Sequence, residues 1–269
     1  MNIKQACGAL LALILLLPCA QALAAPAAAQ KQEGKTYQVV LLRHGQSNMN
    51  VANEYSGWSD AYLTEAGIAG GLKAGELMKK EGLAFDAVYT SFLKRAIQTA
   101  WLALQGLDMM WVPVHTDWRL NESNYGAFEG KSPEGMRAIW SEEQIKKWQA
   151  SYDISPPPLS INDPKSPVND ARYSHVPKFQ LADSESLEAT FARVNAYWQH
   201  VIIPAMKSGQ TRIMVVSHSN ALRALSMSID PEINKDTVTK LRIANTTPII
   251  YTLDADMKPI SRRMLEPPK

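Results

Sequence analysis

YQVVLLRHGQS (residues 37–47) and RIMVVSHSN (residues 212–220) are the stretches that decide the fold. Apart from Gln38, the first six residues of the former are apolar or β-branched, and they stand at both odd and even positions, which predicts a strand covered on both faces. That run ends abruptly in Arg43-His44-Gly45, and the second run ends in Ser217-His218. Because ligands of open α/β sheets sit beyond the carboxyl ends of strands, we expect the two histidines to converge on one ligand.

Between these two strands, helical and strand-like segments alternate with short links. The periodicities predict a helix over 64–80 capped by Thr64, a strand over 85–90, a helix from a Ser91 cap to about Leu104, and a strand over 111–114. This alternation is typical of a parallel sheet covered by helices. We therefore predict a single α/β domain with a mostly parallel central sheet and helices on both faces.

The second half of the chain is predicted in the same way. Patterns indicate a capping-box helix over 141–148, a loop rich in Pro, Ser, Asp and Asn over 151–183, helices over 185–206 and 221–228, and a last strand over 248–253. Six tryptophans are expected to be core or sheet-covering residues: Trp101, Trp111, Trp118, Trp140, Trp148 and Trp198. Trp58, which follows Ser56 and Gly57, is expected to shape the mouth of a ligand pocket.

The composition of the 269-residue chain is that of a globular protein, with 46% hydrophobic and 20% charged residues. Its net charge of +2 shows no basic field, so nucleic acid is not expected as a partner. The first 24 residues combine Lys4, an apolar run over 9–17 and the small-x-small sequence Ala22-Leu23-Ala24. This pattern predicts a signal peptide cleaved near Ala24 and export to the periplasm, with an uncleaved anchor as the alternative.

Cleavage would leave a tether over 25–36 and a catalytic domain over 37–269. The two cysteines of the chain, Cys7 and Cys19, both lie in the leader. The mature protein is therefore expected to have no disulfide, no cysteine nucleophile and no cysteine-based metal site.

Cationic residues accompany the strand-end histidines. Arg43 supplies a guanidinium fork suited to phosphate, and Gly45 allows the backbone to approach an anion closely. Arg95 lies early in a helix that follows another strand, near the same edge of the sheet. A lone histidine after a strand is more often a packing residue. The prediction of an anion-binding site therefore depends on the two histidines and the two arginines together.

Six sequence blocks resemble the bisphosphoglycerate-dependent phosphoglycerate mutases of the histidine phosphatase superfamily. They are LRHGQSxxN (residues 42–50), SGW (56–58), LTEAG (63–67), YTSxLKRA (89–96), LNExxYG (120–126) and SHSNALRAL (217–225). The blocks occur in the order of the family and extend over 37–264, nearly the whole predicted mature chain.

The resemblance implies a role for each matching residue. His44 would be the nucleophile that becomes phosphohistidine, surrounded by Arg43, Arg95 and His218, and Glu122 would carry the proton. The implied substrate-binding residues are Asn50, Ser56, Gly57, Tyr125, Ser219 and Asn220. No metal is expected, because phosphoryl transfer needs mainly positioning and positive charge.

The chain departs from the mutases where they hold the distal part of the glycerate. Ser123 and Pro133 stand where mutases have an arginine and a lysine, and Gln149-Ala150 replaces an Arg-Arg pair. The histidine loop is His218-Ser219-Asn220 in place of His-Gly-Asn, and the chain ends at Lys269 where mutases carry a longer tail. Each lost charge-assisted contact would cost about 1.5–3 kcal/mol of binding free energy.

Four cations are candidates to replace the missing charges, namely Lys131, Arg137, Lys146 and Lys147, although a solvated helix face explains most of them equally well. The sequence thus predicts a phosphoryl-transfer enzyme acting on small phosphomonoesters, with net phosphatase activity favoured. The alternatives are a genuine mutase, primed by 2,3-bisphosphoglycerate, and a non-catalytic binder of a phosphorylated ligand. No membrane partner is expected after cleavage, and an oligomer is left open.

Overall fold

The computed structural model describes residues 34–266, and within them a six-stranded sheet forms the centre of the protein. The predicted signal peptide, its cleavage site and most of the tether lie outside the described residues. The strands are β1 (Tyr37–Arg43), β2 (Ala87–Thr90), β3 (Val114–Thr116), β4 (Arg212–Ser217), β5 (Ile249–Leu253) and β6 (Pro259–Met264).

The strand order is β3-β2-β4-β1-β5-β6. The four strands from β3 to β1 are parallel, and β5 and β6 are added antiparallel at one edge. The predicted mostly parallel sheet is thus confirmed, whereas β6 had no counterpart in the sequence prediction. It is short of apolar residues and mostly exposed, so it gave no strand signal.

The helices are α1 (Asn48–Val51), α2 (Glu65–Lys80), α3 (Lys94–Leu107), α4 (Pro133–Arg137), α5 (Glu142–Ala150), α6 (Leu187–Tyr197), α7 (Ile203–Lys207) and α8 (Ser219–Ile229). Two apolar clusters cover the two faces of the sheet. One contains Tyr197, Trp198 and Leu222 against β1 and β4, and the other contains Met78 and Leu104 against the opposite face. No helix of the described residues is long and apolar enough to cross a membrane.

The predicted long helix over 185–206 is present as an unbroken helical stretch over 187–207, with a π-helical turn inside it. Helix α6 ends at Tyr197, a π-helical turn follows over Trp198–Ile202, and α7 then begins at Ile203. Pro204 accounts for the widened turn, since it has no N–H to donate and its ring crowds the preceding turn. Glu185 lies before the helix, whose cap is Ser186.

Two predictions around α3 also need correction. The cap of α3 is Leu93 rather than Ser91, whose hydroxyl lies against His218 instead. The strand predicted over 111–114 begins only at Val114, because the left-handed Asp108 ends α3 and a turn occupies the next residues.

The tryptophan predictions are confirmed only in part. Trp111 is 74% exposed and Trp101 is 40% exposed, so neither is a core residue. Trp198 is fully buried as predicted. Trp58 is buried beneath the site rather than at its mouth, and packs on Tyr173 of the long loop.

Candidate active site

The two strand-end histidines meet at the carboxyl edge of the sheet. Strands β1 and β4 are parallel neighbours whose last paired residues are Arg43 and Ser217. His44 and His218 each follow directly, and their ring centroids are 5.0 Å apart with both rings buried. The predicted convergence therefore follows from the register of two adjacent strands.

The ring of His44 is oriented as a nucleophile. Its Nδ1 lies 2.7 Å from the carbonyl oxygen of Gly45, which can only accept, so Nδ1 carries the proton and Nε2 keeps its lone pair. Burial, followed by the charges of Arg95 and Arg43, holds the pKa of His44 well below its ordinary value. The imidazole is consequently neutral at physiological pH.

Arg95 approaches the nucleophile from a rigid setting. Its Nε lies 3.4 Å from His44 Nε2, and its two terminal nitrogens donate to the carbonyl oxygens of Ser59 and Gly57 at 2.8 and 2.9 Å. Burial lowers the pKa of Arg95 to about 10, which leaves the guanidinium charged at neutral pH. Because its nitrogens are tied to the 57–59 loop, the position of this charge depends on that loop.

Glu129 holds the 57–59 loop from the other side. Its carboxylate accepts from the backbone N–H groups of Trp58 and Ser59, at 2.7 and 2.9 Å, and from the Ser59 hydroxyl. Burial raises the pKa of Glu129 above its ordinary value. Glu129 was not predicted as a site residue, because its partners lie about 70 residues earlier in the chain.

His218 and Arg43 each present a buried nitrogen without a partner. In the described part of the chain, His218 Nδ1 and Arg43 Nε are among the few buried side-chain nitrogens that lack a hydrogen bond. The terminal Nη1 of Arg43 donates to Ile243 O at 2.9 Å, which fixes the guanidinium. Such unpaired donors are costly to bury and suit the oxygens of a phosphoryl group.

Glu122 is held by the backbone of the same edge. Its Oε1 accepts from the N–H groups of Ser123 and Asn220, at 2.9 and 3.0 Å. Its carbonyl oxygen accepts from Trp58 Nε1 and from Arg193, so the main chain is fixed as well. The arrangement leaves the second carboxylate oxygen available for proton transfer.

A buried ion pair supports the Glu122 segment. Arg193 and Glu185 bond through two contacts of 2.7 and 2.8 Å, and both side chains are almost fully buried. Arg193 also donates to the carbonyl oxygens of residues 119, 121 and 122, and Glu185 accepts from Asn124 N. Neither residue was predicted, since their sequence separation of eight gives no local signal.

The predicted residues line one cavity of about 220 Å³, and His218 lies directly behind it. The cavity wall brings together Arg43, His44, Asn50, Ser56, Gly57, Arg95, Glu122, Tyr125, Ser219 and Asn220. Burial and the charge of Glu122 raise the pKa of the Tyr125 phenol well above its ordinary value, so it is a neutral donor. Asn50 also caps α1, where its Oδ1 accepts from Ser47 N.

Three further residues of the wall were not predicted as site residues, namely Glu54, Tyr55 and Arg223. Arg223 Nη1 donates to Asn220 Oδ1 at 2.9 Å, and Nε donates to Leu241 O. The spacing of three residues from Asn220, on one face of α8, was a usable signal for Arg223.

The four candidate replacement cations do not line the cavity. Arg137 and Lys146 instead pair with Glu142 on the surface, and Lys147 is exposed. Ser123 is buried and bonded to Thr190, and Gln149 donates to the hydroxyl of Tyr55. These positions carry polar contacts but no charge.

Within residues 34–266, no three His, Cys, Asp or Glu side chains cluster as metal ligands do. The expectation of a metal-free reaction stays a prediction, since it rests on the chemistry of phosphoryl transfer and on the family resemblance.

The comparisons with known proteins agree with this geometry. The family model described as histidine phosphatase superfamily (branch 1) matches residues 39–166. A mycobacterial glucosyl-3-phosphoglycerate phosphatase is similar with 20% identity and a TM-score of 0.64, over 85% of this chain and 97% of that one. The alpha-ribazole phosphatase from Shigella flexneri shows 21% identity and a TM-score of 0.61, over 86% and 96%. A phosphoglycerate mutase from Bacillus anthracis shows 26% identity and a TM-score of 0.57, over 81% and 89%.

A neutral, buried histidine among arginines, at the edge of a doubly covered sheet, defines an enzyme that transfers phosphoryl groups. Residues 39–166 thus match the histidine phosphatase superfamily (branch 1), and the fold and the site agree with that class of enzyme.

Proposed function

We propose that the enzyme is a phosphomonoester hydrolase that works through phosphohistidine at His44. The observation that carries the proposal is the state of the His44 ring, which is buried and neutral, with its Nε2 lone pair facing Arg95. Glu122 lies in the same cavity, fixed at one carboxylate oxygen. A nucleophile and a proton carrier side by side suit two successive displacements at phosphorus.

In the first displacement, Nε2 of His44 forms a bond to phosphorus while the ester P–O bond breaks. The leaving oxygen takes a proton from the carboxyl group of Glu122. In the second, Glu122 removes a proton from water, the water oxygen attacks phosphorus and the N–P bond breaks. Inorganic phosphate leaves, and His44 and Glu122 return to their starting protonation states. Arg43, Arg95 and His218 would donate to the equatorial oxygens throughout.

The polar but uncharged positions beside the cavity support hydrolysis over isomerisation. Ser123 is tied to Thr190, and Gln149 to Tyr55, where the mutases that this chain resembles place arginines. A mutase must hold the distal carboxylate or second phosphate of its substrate while the glycerate reorients. A hydrolase needs only to bind the phosphoryl group and admit water, and it needs no bisphosphate primer.

The second candidate is a genuine phosphoglycerate mutase. It is favoured by the 26% identity to the mutase from Bacillus anthracis and by Arg223, a third cation in the cavity wall. This candidate would require 2,3-bisphosphoglycerate to keep His44 phosphorylated. The guanidinium of Arg223 already donates to Asn220 and Leu241, and the four candidate lysines and arginines do not line the cavity, which leaves Arg242, in an adjoining cavity, as the exposed cation for a second phosphate.

We also propose that the enzyme is exported, on the signal-peptide pattern of residues 1–24. Outside the cytoplasm, water is the abundant acceptor for a phosphohistidine, which agrees with hydrolysis.

The test is to incubate the purified protein with 3-phosphoglycerate, with and without 2,3-bisphosphoglycerate, and to follow 2-phosphoglycerate and free phosphate. We expect phosphate release that is independent of the bisphosphate and abolished in His44→Ala. The matched control is His200→Ala, because this histidine is exposed and does not line the cavity. Isomer formation that depends on the bisphosphate would establish the mutase instead.

Quenching the same reactions with denaturant, followed by acid or alkaline treatment of the protein, distinguishes phosphohistidine from phosphate bound to another nucleophile. Phosphate that is acid-labile and alkali-stable, present in the parent protein and absent in His44→Ala, is expected. Turnover that survives in His44→Ala would refute the phosphohistidine route.

A further inference from the structure

A second, larger cavity adjoins the catalytic one. Its volume is about 590 Å³, and it shares the walls formed by Tyr55, Tyr125, Asn220 and Arg223 with the cavity that contains His44. Small-molecule sites typically have volumes of about 300–1,000 Å³, which the catalytic cavity alone does not reach. The smaller cavity therefore suits the phosphoryl group and the reacting atoms, and a bulkier substrate would extend into the larger one.

The proton carrier lies at the boundary between the two cavities. Both residues whose N–H groups bind Glu122 Oε1, Ser123 and Asn220, line the larger cavity. Because Glu122 would protonate the leaving oxygen, the alcohol part of the substrate is expected to leave on this side. The larger cavity is thus placed where a leaving group would be bound.

The lining of the larger cavity is largely aromatic on one side. Tyr55, Tyr125, Phe128 and Trp148 contribute to its wall, with the Tyr55 and Tyr125 rings 5.2 Å apart and the Phe128 and Trp148 rings 5.3 Å apart. All four belong to one apolar cluster that includes Ile145 of α5; Phe128 is fully buried behind the wall, so the accessible ring surface comes from Tyr55, Tyr125 and Trp148, which are only partly buried. Packing of a flat apolar group against such a wall is favourable, because apolar surface is removed from water.

Three charged side chains line the larger cavity, namely Glu185, Arg223 and Arg242, of which the first two are bonded and Arg242 is exposed. Glu185 is neutralised by the buried Arg193, and Arg223 donates to Leu241 and Asn220. Gln149 stands in the wall at a position where the resembling mutases have an arginine. Its amide bonds to Tyr55, so the wall beside the aromatic rings is neutral.

We infer that this aromatic cavity binds the alcohol part of the substrate. The substrates would then be phosphomonoesters whose alcohol carries an aromatic or similarly flat apolar group. The inference rests on the proposed hydrolase function, and it makes Trp148 and Gln149 specificity-determining residues.

The test compares two esters of primary alcohols, 3-phenylpropyl phosphate and glycerol 3-phosphate. Their leaving groups are similar in chemistry, so a difference in kcat/KM reports on binding of the alcohol part. We expect a preference of about tenfold or more for the phenylpropyl ester, the size that burial of an apolar group of a few carbons gives. In Trp148→Ala the ratio of the two kcat/KM values is expected to fall close to one.

Two further variants guard against a folding effect. Trp140→Ala is the matched control, because Trp140 packs on Phe128 and Trp148 but does not line the cavity. It should lose similar packing and keep the preference. The double variant Gln149→Arg with Ala150→Arg, at two exposed positions of α5, should fill and charge the wall and abolish the preference without disturbing the core.

Binding of 3-phenylpropyl phosphonate and propyl phosphonate, whose P–C bonds are not hydrolysed, is measured in parallel by calorimetry. Phosphate release without any preference for the phenylpropyl compounds would overturn the aromatic cavity and leave the hydrolase standing. A preference in phosphonate binding that Trp148→Ala abolishes, with no phosphate released from either ester, would support the cavity and refute the hydrolase. A preference that Trp140→Ala removes equally would also overturn the inference.

Discussion

The hydroxyl of Ser91 lies 2.8 Å from Nε2 of His218 and also accepts the backbone N–H of Leu93 at 3.1 Å. Among the hydrogen bonds of the described residues, the Ser91 proton finds an acceptor only in the tautomer that keeps the lone pair on His218 Nε2. The imidazole must then carry its own hydrogen on Nδ1, the atom that is buried without a partner. Ser91 thus favours the tautomer in which Nδ1–H of His218 is a buried donor free for a phosphoryl oxygen.

Replacement of this hydroxyl should disturb the tautomer more than the fold. We expect Ser91→Ala to lower kcat on the order of a hundredfold, the usual effect of losing one preorganised donor, while Ser91→Thr restores most of it. The ring ¹⁵N shifts of His218 should change from the Nδ1–H to a mixed pattern in Ser91→Ala alone. Unaltered shifts together with a normal kcat would contradict the assignment.

The buried pair of Arg193 and Glu185 should dominate the stability of the site. Glu185→Gln leaves the Arg193 charge buried without its partner, which typically costs about 3–5 kcal/mol of unfolding free energy. Glu81→Gln is the control, since its pair with Arg263 is solvent-exposed and should contribute less than about 1 kcal/mol. Urea unfolding measures both, and equal losses would show that burial of the pair is not decisive.

The parallel part of the sheet and the residues of the cavity were predictable because they follow local patterns. Two buried apolar runs, each ending in a histidine, define neighbouring strands whose carboxyl ends lie at one edge. Arg95 was placed at this edge by its position early in a helix that follows a strand, whereas Glu122 and Asn220 were identified only by the six blocks. The cavity wall shows that these residues do lie together.

Features that depend on contacts distant in sequence could not be predicted. Glu129 acts on a loop about 70 residues earlier, and Ser91 looked like a helix cap until His218 was placed beside it. Strand β6 is mostly exposed and lacks the apolar run that reveals a buried strand. Trp111 is apolar in sequence, yet its place in a turn after α3 leaves it in solvent.

The glycine of the 57–59 loop offers a test of the Glu129 contact. Gly57 has a φ of +46°, and a Cβ there would overlap the carboxylate of Glu129. Gly82 has a φ of +70° with no atom near its would-be Cβ, so Gly82→Ala isolates the backbone cost of roughly 1 kcal/mol. Gly57→Ala should lose clearly more unfolding free energy and also lower kcat, because the loop positions Arg95. Equal losses and an intact kcat would refute the coupling.

The depressed pKa values of the two histidines predict how stability varies with pH. Burial keeps His44 and His218 neutral when folded, whereas both protonate near pH 6.5 when the chain unfolds. The unfolded state then binds more protons, so the free energy of unfolding should fall as pH drops below about 6.5. Above that pH, this loss of stability should be absent. In His218→Asn the share of the acid dependence that comes from His218 should disappear, while the share from His44 remains. Thermal unfolding of parent and variant between pH 7.5 and pH 5 measures the difference, and parallel curves would contradict it.

The proton carried by Glu122 matters most when the leaving group is a poor one. Glu122→Gln should lower kcat/KM for glycerol 3-phosphate by about 10²–10⁴, because the departing alkoxide receives no proton. With p-nitrophenyl phosphate the phenolate leaves unprotonated, so His44 should still become phosphorylated. The second step lacks its base, however, and water attack should be slow. We therefore expect a burst of about one nitrophenolate per enzyme, followed by slow turnover and a trapped acid-labile phosphate on His44. If kcat/KM fell by equal factors for both substrates and no burst appeared, Glu122 would contribute to substrate binding rather than to proton transfer.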